Sequence, residues 1–175
     1  MIALTGTPTL TTERLTLRAP IAADWPAFRA FAMSDRALYS FGIVDEAKSW
    51  RAFCHVAGMW VMRGHGLFIL CLKGTDHPLG ACGPWHPADW PEREIGWSLW
   101  SAEAEGRGYA LEAAAAARAH AFGTLGWDTA VSYIHPDNAR SIALARRLGA
   151  TEDPAATTPH PDEPTLVFRH QRGAA

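Results

Sequence analysis

The chain has 175 residues, 48% of them hydrophobic, and a formal net charge of -2. This length predicts one domain over residues 1–175 with one sizeable core, and the scattered positive residues exclude a basic surface for nucleic acid. Residues 1–20 lack a basic start followed by an apolar stretch, and no segment approaches the ~20 apolar residues of a membrane span, so we expect a cytoplasmic protein with no membrane partner.

Hydrophobic periodicity and turn residues predict alternating strands and helices. Strands are predicted over residues 14–19, 66–73, 78–85, 94–100, 128–135, 150–153 and 165–170, and helices over 23–33, 46–62, 107–124 and 138–148. Residues 74–78 predict a hairpin turn, so the strands that flank them should be antiparallel neighbours. A whole helix joins the strands at 94–100 and 128–135, as parallel strands require. The predicted class is therefore α/β (α+β) with one mixed sheet, and the four prolines within residues 154–164 predict a rigid loop.

The cysteine and histidine patterns do not indicate a metal or disulfide framework. Cys54, Cys71 and Cys82 are odd in number and form no Cys-x-x-Cys pair, which predicts buried free thiols in a reducing compartment. No two of the eight histidines show His-x-x-x-His spacing, so we expect no bound metal.

The most distinctive segment is Glu105-Gly106-Arg107-Gly108-Tyr109-Ala110, which lies between a predicted strand and an alanine-rich helix. Unpaired N–H groups and the peptide dipoles favour an anion at such a helix start, and the glycines leave the backbone open to a diphosphate. A nucleoside-triphosphate loop is excluded because no Gly-Lys-Ser/Thr follows. The dinucleotide fingerprint fails as well, because Leu111 replaces its third glycine and Asp128 precedes the next strand. A plain glycine-rich turn without a ligand fits the Gly-x-Gly pair about equally well.

A second segment narrows these alternatives. After the strand at 128–135 comes Asn138-x-x-Ser141-Ile142-x-Leu144-x-x-x-Leu148-Gly149, in which Asp137 or Asn138 is a candidate helix cap and Gly149 a stop. The order strand, Gly-x-Gly-Tyr-Ala-x-Glu-Ala helix, strand and Asn-x-x-Ser helix resembles the GNAT superfamily of N-acetyltransferases. The closest likeness is to its Rim-type (ribosomal-protein alanine acetyltransferase) branch. Residues 10–18 and 21–31 resemble the first strand and first helix of that branch, and the likeness covers about residues 11–169.

The resemblance implies a fold and a co-substrate. It implies a mixed, mostly antiparallel sheet whose fourth and fifth strands are parallel and splay apart, flanked by helices. It also implies acetyl-coenzyme A (acetyl-CoA), with its pantetheine arm along Trp97, Ser98 and Leu99. Its diphosphate would lie on the amides of Gly106, Arg107, Gly108, Tyr109 and Ala110. Asn138 either holds the cofactor amide or only caps its helix. Glu105 departs from the Gln or Arg usual there, and we expect its carboxylate to face solvent, away from the phosphates.

Transfer of an acetyl group to an amine requires a base for the ammonium and an acid for the leaving thiolate. In the Rim-type pattern Glu94 overlooks the cleft and is the leading base, with Glu92, Asp89 and His86 as alternatives. The tyrosine that many members use as the acid is replaced by Ala145, so Ser141 is the candidate acid. Tyr109 and Tyr133 are held in reserve.

The acceptor is left open by the sequence. Both a protein N-terminal amine and a small-molecule amine fit. Several of the eight tryptophans form either an aromatic acceptor pocket or core, and Trp50 and Trp60 are expected to share one buried helix face. A non-catalytic acyl-CoA-binding module is the alternative function and a nicotinamide oxidoreductase a third. A homodimer is compatible with each of them.

Overall fold

One eight-stranded sheet organises the molecule. The computed structural model describes residues 4–173. The strands are β1 (Leu10–Thr11), β2 (Leu15–Arg18), β3 (Phe68–Leu72), β4 (Pro78–Trp85), β5 (Glu94–Leu99), β6 (Thr129–Ile134), β7 (Thr151–Glu152) and β8 (Leu166–Gln171). Their order across the sheet is β1-β2-β3-β4-β5-β6-β8-β7, and among the described pairs only β5 and β6 run parallel. The predicted class, a mixed and mostly antiparallel sheet with flanking helices, is confirmed.

Four α-helices flank the sheet: α1 (Trp25–Ala32), α2 (Glu46–Arg63), α3 (Tyr109–Gly123) and α4 (Ala139–Arg147). The Asp45 side chain caps α2 by accepting from the Lys48 amide at 2.7 Å, and Gly64 ends that helix at φ 71°. The predicted start of α1 at residue 23 was two residues early. Residues 22–24 form a 3-10 turn instead, because the Asp24 carboxylate accepts from the Ile21 amide and from both terminal nitrogens of Arg18.

The two faces of the sheet carry separate cores. Leu15, Leu17 and Phe68 pack against α3 on one face, whereas Phe28 and Phe53 of α1 and α2 cover the other. The alanine run explains why α3 lies so close to the strands. Its members Ala113, Ala114 and Ala117 are fully buried, and their short side chains let the helix backbone approach the sheet.

The parallel strands β5 and β6 diverge, as predicted. Only Glu94 pairs with Val131 across them, although each strand is six residues long and pairs along its length with its other neighbour. The Ser132 hydroxyl strengthens the closed end by donating to the Ile95 carbonyl at 2.7 Å, and it lies 2.9 Å from His170 Nε2. Because Ser132 already uses its hydrogen, His170 Nε2 carries the proton of that second bond. Beyond this point the strands open into a cleft.

Two expectations about side-chain burial were wrong. Cys71 and Cys82 are buried free thiols, but Cys54 is exposed on α2. Trp60 is buried at 5% exposure, whereas Trp50 is 50% exposed and only meets the edge of the Trp25 ring. Within residues 4–173 no helix has both the length and the apolar content to cross a membrane.

Candidate active site

The gap between β5 and β6 widens into a cleft of about 1770 Å³. Its cofactor half is defined by Trp97–Leu99, by residues 105–110, which we call the phosphate loop, and by the first turn of α4. Its acceptor half lies at the other side and is lined by ring side chains, among them Tyr39, His55, Trp85, Trp90 and Tyr133. The predicted cofactor residues other than Arg107, the leading base Glu94 and the candidate acid Ser141 line this one cleft.

Two of the phosphate-loop residues that line the cleft are glycines, Gly106 and Gly108, which have only backbone to present. Gly106 and Gly108 have φ values of 70° and 79°, which L-residues rarely adopt, and Gly108 precedes the first residue of α3. No side chain caps α3, and a Cβ atom at Gly106 would meet no atom within 4 Å. The loop therefore offers a helix start and open space, which fit a diphosphate.

Arg14, in the connection between β1 and β2, holds the phosphate loop in place. Its Nη1 donates to the Arg107 carbonyl at 2.8 Å, its Nε donates to Glu112 at 2.6 Å, and its guanidinium lies over the Tyr109 ring. Burial opposes the charge of Glu112, but hydrogen bonds from Thr12 and Arg14 outweigh it and lower the pKa of that carboxyl. Sequence reasoning missed Arg14 because it lies 98 residues from Glu112, and no local pattern joins them.

The Glu105 side chain does not face solvent, contrary to expectation. It accepts from Arg36 and from Arg140, each at 2.5 Å, and its side chain is 29% exposed. Arg36 also donates to the carbonyls of Leu99 and Ser101. Two positive partners from separate elements compensate the charge of the carboxylate and fix its orientation.

Asn138 and Ser141 lie at the start of α4. The Asn138 Oδ1 accepts from the Ser141 amide at 3.2 Å, so Asn138 caps the helix, one of its two predicted roles. The Ser141 hydroxyl oxygen accepts from Trp97 Nε1 at 3.2 Å. This bond uses only a lone pair of Ser141, so its hydroxyl hydrogen remains available for donation.

Glu94 lies in the acceptor half at the first residue of β5. Its Oε2 accepts from Trp90 Nε1 at 2.6 Å, and burial raises the pKa of Glu94 to about 7. A carboxyl with that pKa exchanges its proton near neutral pH, as a general base must.

The three alternative bases are placed differently. Glu92 is held by two bonds from Arg169, at 2.7 and 2.9 Å, and lines a small surface pocket with His86, outside the main cleft. Asp89 lines the main cleft but is exposed. Among these four residues, Glu94 is thus the one that lies in the main cleft with a pKa raised to near neutrality.

Strand alternation puts Glu94 and Ser141 on opposite faces of the sheet. Glu94 and Gly96 lie on the face of α1 and α2, since a Cβ at Gly96 would lie 3.6 Å from Glu94 Oε1 and 3.7 Å from Leu67. Trp97 points to the opposite face and reaches Ser141. A group threaded between β5 and β6 would therefore meet one of them from each side.

The reserve tyrosines occupy separate places. Tyr109 packs against the α3 core beneath Arg14. Tyr133 lies in the acceptor half against Trp90, and burial raises the pKa of its phenol. Within residues 4–173, no group of three or more His, Cys, Asp or Glu side chains is arranged to hold a metal ion.

Comparison with known proteins gives a consistent result. A family model described as "Acetyltransferase (GNAT) domain" matches residues 14–151. The crystal structure of an acetyltransferase from Agrobacterium tumefaciens str. C58 is similar over 98% of this chain and 99% of its own, with 42% identity and a TM-score of 0.90. No curated protein matches the chain.

Two more distant structures share the fold. A ribosomal L7/L12 alpha-N-protein acetyltransferase in complex with coenzyme A is 18% identical, with a TM-score of 0.71 over 97% of this chain and 99% of its own. A ribosomal-protein-S5-alanine acetyltransferase from Vibrio fischeri is 14% identical, with a TM-score of 0.72 over 95% of this chain and 97% of its own. At these identities the likeness concerns the fold.

Proposed function

Because this chain belongs to the GNAT acetyltransferase family and is an acyltransferase, we propose that it moves the acetyl group of acetyl-CoA to a primary amine by direct attack. The observation that carries the proposal is the opening of β5 from β6 beyond the single Glu94–Val131 pair, with the uncapped start of α3 at its rim. The opening leaves backbone groups of β5 unpaired, and the helix start supplies N–H donors for an anion.

The cofactor half accommodates the two ends of acetyl-CoA in different ways. Trp97, Ser98 and Leu99 on the open edge of β5 bind the pantetheine arm, as an added strand would pair, mainly through the backbone of Trp97 and the Leu99 amide, because the Leu99 carbonyl already accepts from Arg36. The amides of the phosphate loop, from Gly106 to Ala110, bind the diphosphate, and Arg14 holds the loop in shape before the ligand arrives.

Glu94 serves as the general base. The acceptor arrives as an ammonium, Glu94 removes its proton directly or through one water, and the neutral nitrogen attacks the thioester carbonyl. The new C–N bond forms as the C–S bond breaks. The second proton of the nitrogen passes to solvent, and the thiolate of CoA is the leaving group.

Ser141 serves as the acid that protonates this thiolate, because its hydroxyl hydrogen is free while Trp97 holds its oxygen. Ala145, at the position of the usual tyrosine, is fully buried against Ile134 and Phe168, so that site leaves no space for a phenol. Solvent reprotonates the serine after each turnover.

Ser141→Ala is expected to lower kcat about tenfold or more across the pH range, while the Kd for acetyl-CoA changes little. The hydroxyl acts on charge that exists only after the C–S bond begins to break, so ground-state binding does not use it. Stopped-flow or steady-state thiol release and equilibrium binding of acetyl-CoA measure the two quantities. Loss of affinity in proportion to kcat would instead assign Ser141 to cofactor binding.

The experiment that tests the proposed function is a panel of primary amines assayed for release of free thiol from acetyl-CoA. Thiol release that requires both protein and amine, with acetylated amine as the product, supports it. CoA that raises the melting temperature without thiol release from any amine favours the alternative, a non-catalytic acyl-CoA-binding module.

A further inference from the structure

Side chains take the place of backbone pairing at the point where β5 leaves β6. The described ladder between these strands has the single pair Glu94–Val131. Parallel pairing carried one step further would join the Tyr133 amide to the Ile95 carbonyl. In this structure the Ser132 hydroxyl donates to that carbonyl at 2.7 Å, and the Tyr133 amide donates to the Glu94 carboxylate. The two groups of the next backbone bond thus each have a side-chain partner.

His170 on β8 fixes the direction of the Ser132 hydroxyl. Both residues are buried, at 0% and 2% exposure, and Ser132 Oγ lies 2.9 Å from His170 Nε2. Ser132 donates its one hydrogen to Ile95, so the ring donates and the serine oxygen accepts. Burial lowers the pKa of His170 to about 4, so the ring is neutral near pH 7 and carries its proton on Nε2. The donors therefore run in one direction, from His170 through Ser132 to Ile95, and we call this series the serine relay.

The serine relay and the Glu94 carboxyl lie on opposite faces of the sheet. Strand alternation puts Ser132 on the face of Ala130, which packs against α3, whereas Glu94 is on the face of α1 and α2. Arg118 of α3 is the charged group whose field reaches His170. Ser132 thus has a route to Glu94 through the backbone between them, by way of the Ile95 carbonyl and the Tyr133 amide.

Other titratable groups near Glu94 belong to separate parts of the chain. They reach it through its neighbours: the Tyr133 phenol beside Glu92 and Arg169, His160 against the Trp90 ring, and His55 against Trp85, the β4 partner of Glu94. All of them keep their charges when Ser132 or His170 is replaced. A change in the titration of Glu94 in such variants therefore reports on the backbone route.

We propose that Ser132, oriented by His170, is a positioning residue for the general base: it occupies the Ile95 carbonyl, so that the Tyr133 amide stays on the Glu94 carboxylate. The inference rests on the proposed function, in which Glu94 takes the proton of the amine. It adds two residues on the far face of the sheet to the parts that this reaction requires.

Ser132→Ala removes the donor that holds the Ile95 carbonyl. The Tyr133 amide then has two competing acceptors, and its move to Ile95 extends the ladder by one bond. Burial raises the pKa of Glu94 while bonds from Trp90 and Tyr133 lower it, so loss of the second bond should raise it further, by about one pH unit. At saturating acetyl-CoA, kcat/KM for the amine should fall about fivefold at pH 7 and change little at pH 9.

Backbone NMR measures the same contact without any acceptor. The chain has three tyrosines, so 15N-tyrosine labelling resolves the amide of Tyr133, which Tyr133→Phe identifies. In the wild type this amide should shift with a midpoint at about pH 7, as Glu94 titrates, and Glu94→Gln should abolish the shift. Burial raises the pKa of the Tyr133 phenol above its ordinary value of 10, so the phenol does not titrate in this range. In Ser132→Ala the shift should lose half or more of its amplitude.

His170 supplies a second pair of variants. His170→Leu keeps the site apolar but removes the donor to Ser132, and it should change the pH profile in the same direction as Ser132→Ala. His170→Gln keeps an N–H donor at the place of Nε2 and should retain the wild-type profile. Ser49→Ala is the matched control, because it removes a fully buried hydroxyl that donates to the Asp45 carbonyl at 2.8 Å, outside the cleft. It should leave the titration of the Tyr133 amide unchanged.

The outcomes separate the positioning role from the proposed function. A wild-type titration of the Tyr133 amide in a folded Ser132→Ala or His170→Leu protein overturns the inference, and so does a fall in kcat/KM of equal size at every pH. The NMR signal needs no acceptor, so it decides the placement of Glu94 independently. Thiol release from no amine, together with the expected NMR result, overturns the proposed function alone.

Discussion

Glu94→Gln is expected to lower kcat/KM by about a hundredfold or more at pH 7, the usual contribution of a general base. Glutamine keeps an oxygen that accepts from Trp90 Nε1, but it cannot take a proton. In the wild type, kcat/KM should rise with pH through about 7 as Glu94 loses its proton. Higher pH should restore part of the loss in the variant, because more of the amine is then already neutral.

Two controls accompany this variant. Asp89→Asn removes an exposed carboxylate from the same cleft and should change kcat/KM less than about threefold. This control distinguishes the loss of a negative charge in the cleft from the loss of the general base.

Thermal unfolding gives a second measurement. Burial raises the pKa of folded Glu94 above its ordinary value of 4.5, so its stabilising contribution is complete below about 4.5 and is lost as pH rises through about 7. Glu94→Gln should therefore show a smaller fall in Tm between pH 5 and 8. Wild-type kcat/KM in the variant at pH 7 would mean that the base lies elsewhere, with Glu92 and His86 the next residues to test.

Gly108→Val should remove most of the rise in Tm that coenzyme A produces. A ligand at 100 times its Kd stabilises by about 2.7 kcal/mol, which corresponds to roughly 5–10 °C for a chain of this size. At φ 79° a branched side chain is strained, and its Cβ would lie 3.3 Å from Arg14 Nη2. The side chain would thus disturb both the phosphate loop and the residue that fastens it.

Gly126→Val is the matched control for backbone strain. Gly126 has φ 68° in the connection between α3 and β6, and a Cβ there would meet no atom within 4 Å. Its substitution should cost stability in the same way but preserve the shift caused by coenzyme A. Equal shifts in wild type and a folded Gly108→Val protein would contradict the proposed diphosphate site.

Features set by neighbouring residues could be predicted from the sequence. The start of α3 follows from two glycines before a run of alanines, and the Asn138 cap needs only a side chain three residues before its partner amide. The parallel pairing of β5 and β6 follows as well, because a helix must cross between them. Each of these depends on a chain segment no longer than one crossover.

Features set by distant residues could not be predicted. Arg14 binds Glu112 across 98 residues of sequence, and Arg36 binds Glu105 across 69. The order of charged residues along the chain does not identify such distant partners. The expectation for Glu105 considered only repulsion from phosphates. It omitted the positive side chains that two other elements supply.

The two tryptophans on α2 show how an error in the expected angle around the helix axis assigns a side chain to the wrong face. Ten residues advance a helix by about 1000°, which leaves positions 50 and 60 about 80° apart rather than on one line. Trp60 therefore reaches the sheet, whereas Trp50 lies at its margin. Cys54 lies one turn beyond Trp50 and shares its exposure, which explains why a cysteine expected in the core is at the surface.

Arg169 on β8 holds Glu92 through both terminal nitrogens and Asp153 through Nε. Glu92 lies two residues before Glu94 and two after Trp90, in the short connection that orients the proposed base. Its bond to Arg169 therefore links this connection to β8, 77 residues later in the chain. During folding this tie closes only after β8 has entered the sheet between β6 and β7. Closing a loop of that length is slow relative to forming a local turn. The connection that carries Trp90 and Glu92 is thus fixed to the rest of the sheet only once β8 is in place.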